Sequence, residues 1–174
     1  LVGSEMCIRD RNTGFLSTYE LLHVLTDYGH GDTAWKLMLQ DTYPGWLYQL
    51  KYDATTVWEN WKGMEAGREP KDSMNHYSFG TFAGWLMDRV AGIRVEKGKI
   101  RIQPYPDRQI GYVKASYDSP FGKIKSSWEY EGENCRIKVE IPANAHAEIL
   151  LPDGSCHEAD YGKYEYVIME NKHE

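Results

Sequence analysis

The chain lacks any apolar run approaching the ~20 residues a membrane-spanning helix requires, so no spanning segment is expected. No basic-then-apolar leader opens it either. Cysteine is scarce: Cys7, Cys135 and Cys156 are the only three in 174 residues. They are too few and too scattered for a metal cluster or a disulfide framework. Cys135 and Cys156 would pair only if their strands were adjacent; otherwise they read as two small apolar side chains. Basic charge is not in excess. The formal net charge is −6, which disfavours a nucleic-acid partner. No internal repeat or low-complexity tract occurs, and GxSxG, HExxH, CxxC and phosphate-binding glycine loops are all missing. Neither a metal nor a cofactor is therefore expected.

Aromatic residues, by contrast, are abundant, with six Trp and thirteen Tyr. They supply flat contact area and, in Tyr and Trp, a polar handle. That suits a carbohydrate ligand and equally an ordinary aromatic core. In "DATTVWENW", Asp53 to Trp61, one carboxylate, Glu59, stands between Trp58 and Trp61. Glutamate is usually solvated and tryptophan usually buried. Either Glu59 points into water while the indoles pack, or it is held against something that lies on an indole face, as a sugar does.

The first eleven residues, Leu1 to Arg11, show no element pattern. "EMCIRDR" resembles the translated mosaic end of a transposon used to prepare sequencing libraries. They are expected to be a non-native leader on a truncated reading frame, to be left out of fold reasoning.

From Phe15 to Gly92 the pattern is helical. "STYE" reads as a capping box at Ser17 and Glu20, followed by an apolar stripe of Leu21, Val24, Leu25 and Tyr28. Gly29 is the expected C-terminal cap. Asp32 is the expected N-cap of a second helix through Ala34, Leu37, Met38 and Thr42, and the short link predicts a helical hairpin. "YPGW" breaks the pattern. A long irregular stretch is expected from Trp46 to Met74, with a solvated tip at Lys62–Ser73. A third helix is predicted from Asn75 to Val90, striped by Phe79, Phe82, Ala83, Leu86 and Val90, with Gly80 and Gly84 lowering its propensity.

At Ile93 the period changes from 3.6 to 2. "CRIKVEI" alternates Cys135, Ile137, Val139 and Ile141 with charged residues, and "GKIKSSWEY" puts Ile124, Ser126, Trp128 and Tyr130 on one side. "KIRIQP", "IGYVKASY", "AEILLP" and "YEYVIM" read as further strands between turn signals. Short strands at this spacing predict a β-sandwich. The expected division is 12–92 for a helical part and 93–174 for the β domain. Three striped helices need more partner surface than this stretch supplies.

Glu59 is the first candidate for chemistry. A glycosidase uses two carboxylates flanking the bond it cleaves, and a base must be ionised and within reach of water. His76 in "NHY", at the start of the expected third helix, is the second: it could bond a hydroxyl, orient Glu59, or cap a helix. Asp53, Asp72 and Glu65 share the loop as possible second carboxylates.

These residues carry a family resemblance. "TGFLSTYELLHVLTDYGHGDTAWKLMLQDTYPGWLYQLKYDATTVWENWKG" and "NHYSFGTFAGWLMDRVAGI" closely resemble the C-terminal third of the bacterial α-L-rhamnosidases, glycoside hydrolase family 78. The resemblance runs from about Asn12 to the end and is strongest through Ile93. It implies the last helices of an (α/α)6 toroid followed by an antiparallel β-sandwich, and inverting hydrolysis of terminal α-L-rhamnose from glycosides. Glu59 then matches the general base and His76 a histidine that contacts the sugar. Trp46 and Trp61 match aromatic positions near the pocket. The family's general acid lies in an earlier segment with no counterpart here, so the chain by itself is expected to be inactive. The implied partner is a rhamnose-containing glycoside, in cytoplasm or periplasm, with no nucleic acid, no membrane and no oligomeric state specified. A different class of reading is a carbohydrate-binding or interaction β-sandwich with a helical scaffold.

Overall fold

The computed structural model describes residues 15–61, 63 and 72–169. The expected leader, Cys7, Glu65 and most of the Lys62–Ser73 tip lie outside the described residues. The chain forms two compact units, Leu1–Ala83 and Gly84–Glu174.

In the first unit, α1 spans Phe15–Asp27. Ser17 is already inside it, so the Ser17–Glu20 box does not open the helix. Its buried line passes through Thr18 and Leu22 at i, i+4 spacing. Val24 and Tyr28, expected in the stripe, are exposed. The far end closes as the sequence predicts. Gly29 has φ +81°, its N–H donates to Thr26 O at 3.2 Å, and His30 N–H reaches back to Leu25 O at 2.7 Å. This Schellman motif satisfies two carbonyls the helix would otherwise leave unpaired.

The next helix, α2, spans Gly31–Met38 with His30 at its N-cap position. Asp32 is not the cap; it sits in the first turn, where a carboxylate meets the positive end of the helix dipole. Ala34, Trp35, Leu37 and Met38 are buried, and the helix stops before Thr42. The expected irregular stretch then begins with a 3-10 helix, Leu47–Tyr52, which ends at Asp53 in the left-handed region.

The third helix starts later than predicted. Asn75 to Ser78 form turns, and the helix is a composite: a 3-10 turn at Phe79–Thr81, α3 at Phe82–Trp85, and a π turn at Leu86–Val90. Two glycines in its first half weaken regular α geometry. Trp85, outside the expected stripe, is fully buried, while Ala83, inside it, is exposed.

The second unit holds eight strands: β1 Ile93–Glu96, β2 Lys99–Ile102, β3 Tyr112–Ser119, β4 Gly122–Glu131, β5 Asn134–Ile141, β6 Ala147–Leu150, β7 Cys156–Ala159 and β8 Gly162–Met169. They form two four-stranded sheets, ordered β1-β2-β6-β7 and β3-β4-β5-β8. One departure from the expected antiparallel sandwich is the parallel pairing of β2 with β6. Ile124, Trp128, Ile137, Val139 and Ile141 of one sheet and Ile100, Ile102, Ala147 and Ile149 of the other are buried, as period-2 alternation requires. Ser126 is a buried polar member of that face, and its Oγ donates to Ala91 O at 2.6 Å. Trp128 Nε1 donates to Val90 O at 2.8 Å. These bonds tie the π turn to the β core. Cys135 and Cys156 do not pair; Cys135 is buried and Cys156, read as apolar filler, is exposed.

Candidate functional site

The site is built on two irregular segments, Thr56–Trp61 and Asp72–Tyr77. They lie side by side. His76 N–H donates to Val57 O at 2.8 Å and Glu59 N–H to Ser73 O at 2.9 Å. Thr56 Oγ1 donates to Met74 O. Asn60 Nδ2 donates to Asp72 Oδ2 at 3.0 Å, so Asp72 is engaged in closing the neck. Backbone polar groups need partners wherever they are buried, and here each segment supplies them to the other.

This clamp brings Glu59 and His76 together. Glu59 Oε2 accepts the Ser73 N–H at 3.0 Å, and Oε1 lies 4.0 Å from His76 Nε2. One carboxylate oxygen is thus engaged and the other faces an imidazole. The Glu59 side chain is 42% accessible and that of His76 23%, so water reaches both. The His76 ring stacks on Tyr77 at 5.2 Å, and Tyr77 is exposed.

The same unit holds an aromatic cluster of Trp46, Trp61, Phe79 and Phe82. Trp46 and Trp61 meet edge to face at 5.3 Å, Trp61 tilts on Phe79 at 4.4 Å, and Trp46 packs on Phe82 at 5.5 Å. Trp46 Nε1 donates to Phe79 O at 2.7 Å, which satisfies the indole N–H that burial would otherwise strand. Trp46 and Trp61 are each 5% exposed. Trp58 is also buried, beside Tyr52 at 6.1 Å. Its backbone N–H donates to the buried side chain of Gln49 at 3.2 Å. Gly63 lies against the Trp58 ring so closely that any Cβ there would strike it.

Glu59, between the buried Trp58 and Trp61 in sequence, is thus solvent-accessible and faces a histidine. Asp53 is exposed at the end of the 3-10 helix. Ser73, Gln49 and Tyr77 escaped the sequence reading. Two act through a backbone N–H or on one, which leaves no side-chain pattern; Tyr77 was legible only as the neighbour of His76. Among the described residues no group of three or more His, Cys, Asp or Glu is placed to hold a metal ion. No described helix is long and apolar enough to cross a membrane.

Comparison with known proteins identifies the family. Residues 6–90 match the family model for the bacterial α-L-rhamnosidase six-hairpin glycosidase domain, and residues 98–164 match the model for the bacterial α-L-rhamnosidase C-terminal domain. An α-L-rhamnosidase of Formosa agariphila is 37% identical over 147 residues, covering 80% of this chain and 16% of that protein. One from Streptomyces avermitilis is 33% identical over 148 residues, covering 81% of this chain and 14% of its own length. Among solved structures, native α-L-rhamnosidase from Aspergillus terreus superposes with a TM-score of 0.85 at 27% identity, over 92% of this chain and 20% of that one. The Streptomyces avermitilis enzyme complexed with L-rhamnose gives 0.83 at 28% identity, over 90% and 18%. The helices are thus the last helices of a six-hairpin glycosidase domain, and the strands are its C-terminal β-sandwich. The chain belongs to the bacterial α-L-rhamnosidases, and it spans about one-sixth of the length of the curated relatives it matches.

Proposed function

We propose that this chain is the part of an inverting α-L-rhamnosidase that supplies the general base, Glu59, for cleavage of terminal α-L-rhamnose from glycosides. The observation that carries the reading is the carboxylate held at one oxygen by the Ser73 N–H, with its other oxygen facing His76 across 4.0 Å. An inverting base removes a proton from water on the face of the sugar opposite the leaving group. That task needs an oriented carboxylate with a free oxygen and access to water. His76 is proposed to bond a sugar hydroxyl. Trp46 and Trp61 are proposed to form the floor of the sugar site, offering it their narrow exposed edges. Residues 12–92 are proposed as the closing part of the catalytic domain and 93–174 as the appended β domain.

The mechanism needs a second carboxylate, the acid, about 6.5–9.5 Å from the base. We place it elsewhere in the longer protein, so the 174-residue chain is expected to be inactive alone. The test is hydrolysis of p-nitrophenyl α-L-rhamnoside by the full-length protein, its Glu59→Gln variant and this chain. Glu59→Gln should lower kcat about 10²–10⁴-fold while leaving rhamnose affinity largely intact. A variant as fast as wild type overturns the role of Glu59; an inert wild type overturns the substrate.

A further inference from the structure

The Glu59 side chain is aimed by one bond, from the Ser73 N–H to Oε2 at 3.0 Å. That bond forms only while residues 59 and 73 stay opposite each other. Two backbone bonds of the clamp set this register: Glu59 N–H to Ser73 O and His76 N–H to Val57 O. So short a ladder opens from its ends, and Glu59 and Ser73 form its last backbone pair among the described residues. Neither bond ties the clamp to the packed part of the unit. Both tasks, closing the end and tying it down, fall to the chain neighbours of Glu59.

Trp58 precedes it. Its N–H donates to Gln49 Oε1 at 3.2 Å, and the bond is buried. Gln49 lies on the 3-10 helix Leu47–Tyr52 and is 3% exposed. Its own backbone is engaged as well, since Gln49 O accepts the Ala54 N–H at 3.4 Å. Among the described residues, Gln49 Nε2 is buried without a hydrogen-bond partner. A half-satisfied buried amide costs more than an apolar side chain of similar length, so packing does not explain a glutamine here. Its carbonyl does, because it takes up a backbone N–H that burial would otherwise strand. The backbone one residue before Glu59 is thereby fixed to a helix.

Asn60 follows. Its Nδ2 donates to Asp72 Oδ2 at 3.0 Å, and Asp72 directly precedes Ser73. The Asn60–Asp72 bond closes the ladder one step beyond the Glu59–Ser73 pair. An end that would fray becomes an interior rung.

We propose that Gln49 and Asp72 are positioning residues for Glu59. Gln49 anchors the backbone of the base through Trp58, and Asp72 keeps the Ser73 N–H in register through Asn60. The inference rests on Glu59 as the general base. A base must hold its oxygen within hydrogen-bond reach of the attacking water, and a misplacement of about 1 Å costs on the order of 10²-fold in rate. Loss of either anchor therefore lowers kcat and spares sugar binding, which is proposed to lie with His76 and the indoles.

The test is steady-state hydrolysis of p-nitrophenyl α-L-rhamnoside by variants of the full-length protein. Gln49→Met, similar in length but without the acceptor, should lower kcat about 10- to 100-fold with KM unchanged. Asp72→Ala should lower kcat about three- to tenfold, as loss of one exposed hydrogen bond implies. Asp72→Asn keeps a carbonyl acceptor for Asn60 and should recover the wild-type rate. In a Glu59→Gln background neither Gln49→Met nor Asp72→Ala should cost anything further, because both act through the base. With Glu59→Gln itself slow, the proposal is overturned if either single variant turns over like wild type or if the loss falls on KM. It is equally overturned if Asp72→Asn is as slow as Asp72→Ala, or if the losses persist undiminished in the Glu59→Gln background. A Glu59→Gln protein as fast as wild type removes the base and the positioning role together. Asp72 is exposed, so its variants decide the matter even where Gln49→Met fails to fold.

Discussion

In the β unit, position along a strand decides the fate of a side chain; in the helical unit, pairing between irregular segments decides it. Ile137 and Val139 are buried because they alternate with Arg136 and Lys138 on a registered strand. Glu59 is oriented because Ser73, fourteen positions away, returns a backbone N–H to its carboxylate. The first kind of order is redundant in the central strands such as β5, where each residue is fixed by two neighbouring strands. The second rests on a few bonds and on an aromatic cluster. The lesson is that the proposed base, Glu59, sits on non-repeating backbone, oriented by a single long-range bond, whereas the registered strands fix side chains by position alone.

The largest effect that would sharpen this contrast is functional and not structural. Glu59→Gln in the full-length protein should cost about 10²–10⁴ in kcat and leave the thermal unfolding midpoint unchanged. Next comes Trp128→Ala, which removes a fully buried indole bonded to Val90 O. It should destabilise the β unit by about 3–5 kcal/mol, measurable by urea unfolding. A comparable loss of order in the Glu59 segment from the same change would break the contrast. Gly63→Ala should be smaller, about 1–3 kcal/mol of overpacking against Trp58. Its signature is local: rhamnoside turnover in the full-length protein falls while the urea midpoint of the β unit stays put.

The smallest effect is on pH dependence. The bond from Arg136 holds the Glu131 carboxyl below its ordinary value of 4.5, and bonds from Ser155 lower Asp153 from 3.8. Both contributions are present above those ordinary values and are lost as pH falls through the depressed ones. His146 is raised from 6.5 by Asp160 and Glu158, so its contribution is complete below 6.5 and fades as pH rises through the raised value. The β unit should therefore weaken slightly at both edges of a mildly acidic optimum. Urea midpoints measured across that range check the sign, and a midpoint that keeps rising above neutrality would reverse the His146 assignment.

How much was legible follows from the same contrast. The strands containing Ile124, Trp128, Ile137 and Val139 were readable because a period of 2 needs few residues to declare itself. Of the four-residue strands, β2 and β6 were readable and β1 and β7 were not; β7, CHEA, carries no large apolar residue to declare a period. The C-cap at Gly29 was readable from one glycine after an apolar stripe. The start of the composite third helix was not, because Asn75 to Ser78 are taken up by the clamp and its turns. Glu59 and His76 were picked from residue type and sharpened by family resemblance; no periodicity carries them. Their neighbours Ser73 and Gln49 act through hydrogen bonds to and from the backbone, which any residue type disguises.

The parallel pairing of β2 with β6 carries one more consequence, for the order of assembly. Between those two strands the chain runs through β3, β4 and β5, which belong to the other sheet and can zip as a local meander. The β1-β2-β6-β7 sheet must instead wait for the return of β6, since ordering a long intervening loop costs entropy before the distant contact rewards it. The ion pair of Arg101 with Glu148, which spans β2 and β6, is therefore among the last features of the β unit to be completed. In pulsed hydrogen exchange during refolding, amides of β4 and β5 should gain protection before those of β6 and β7.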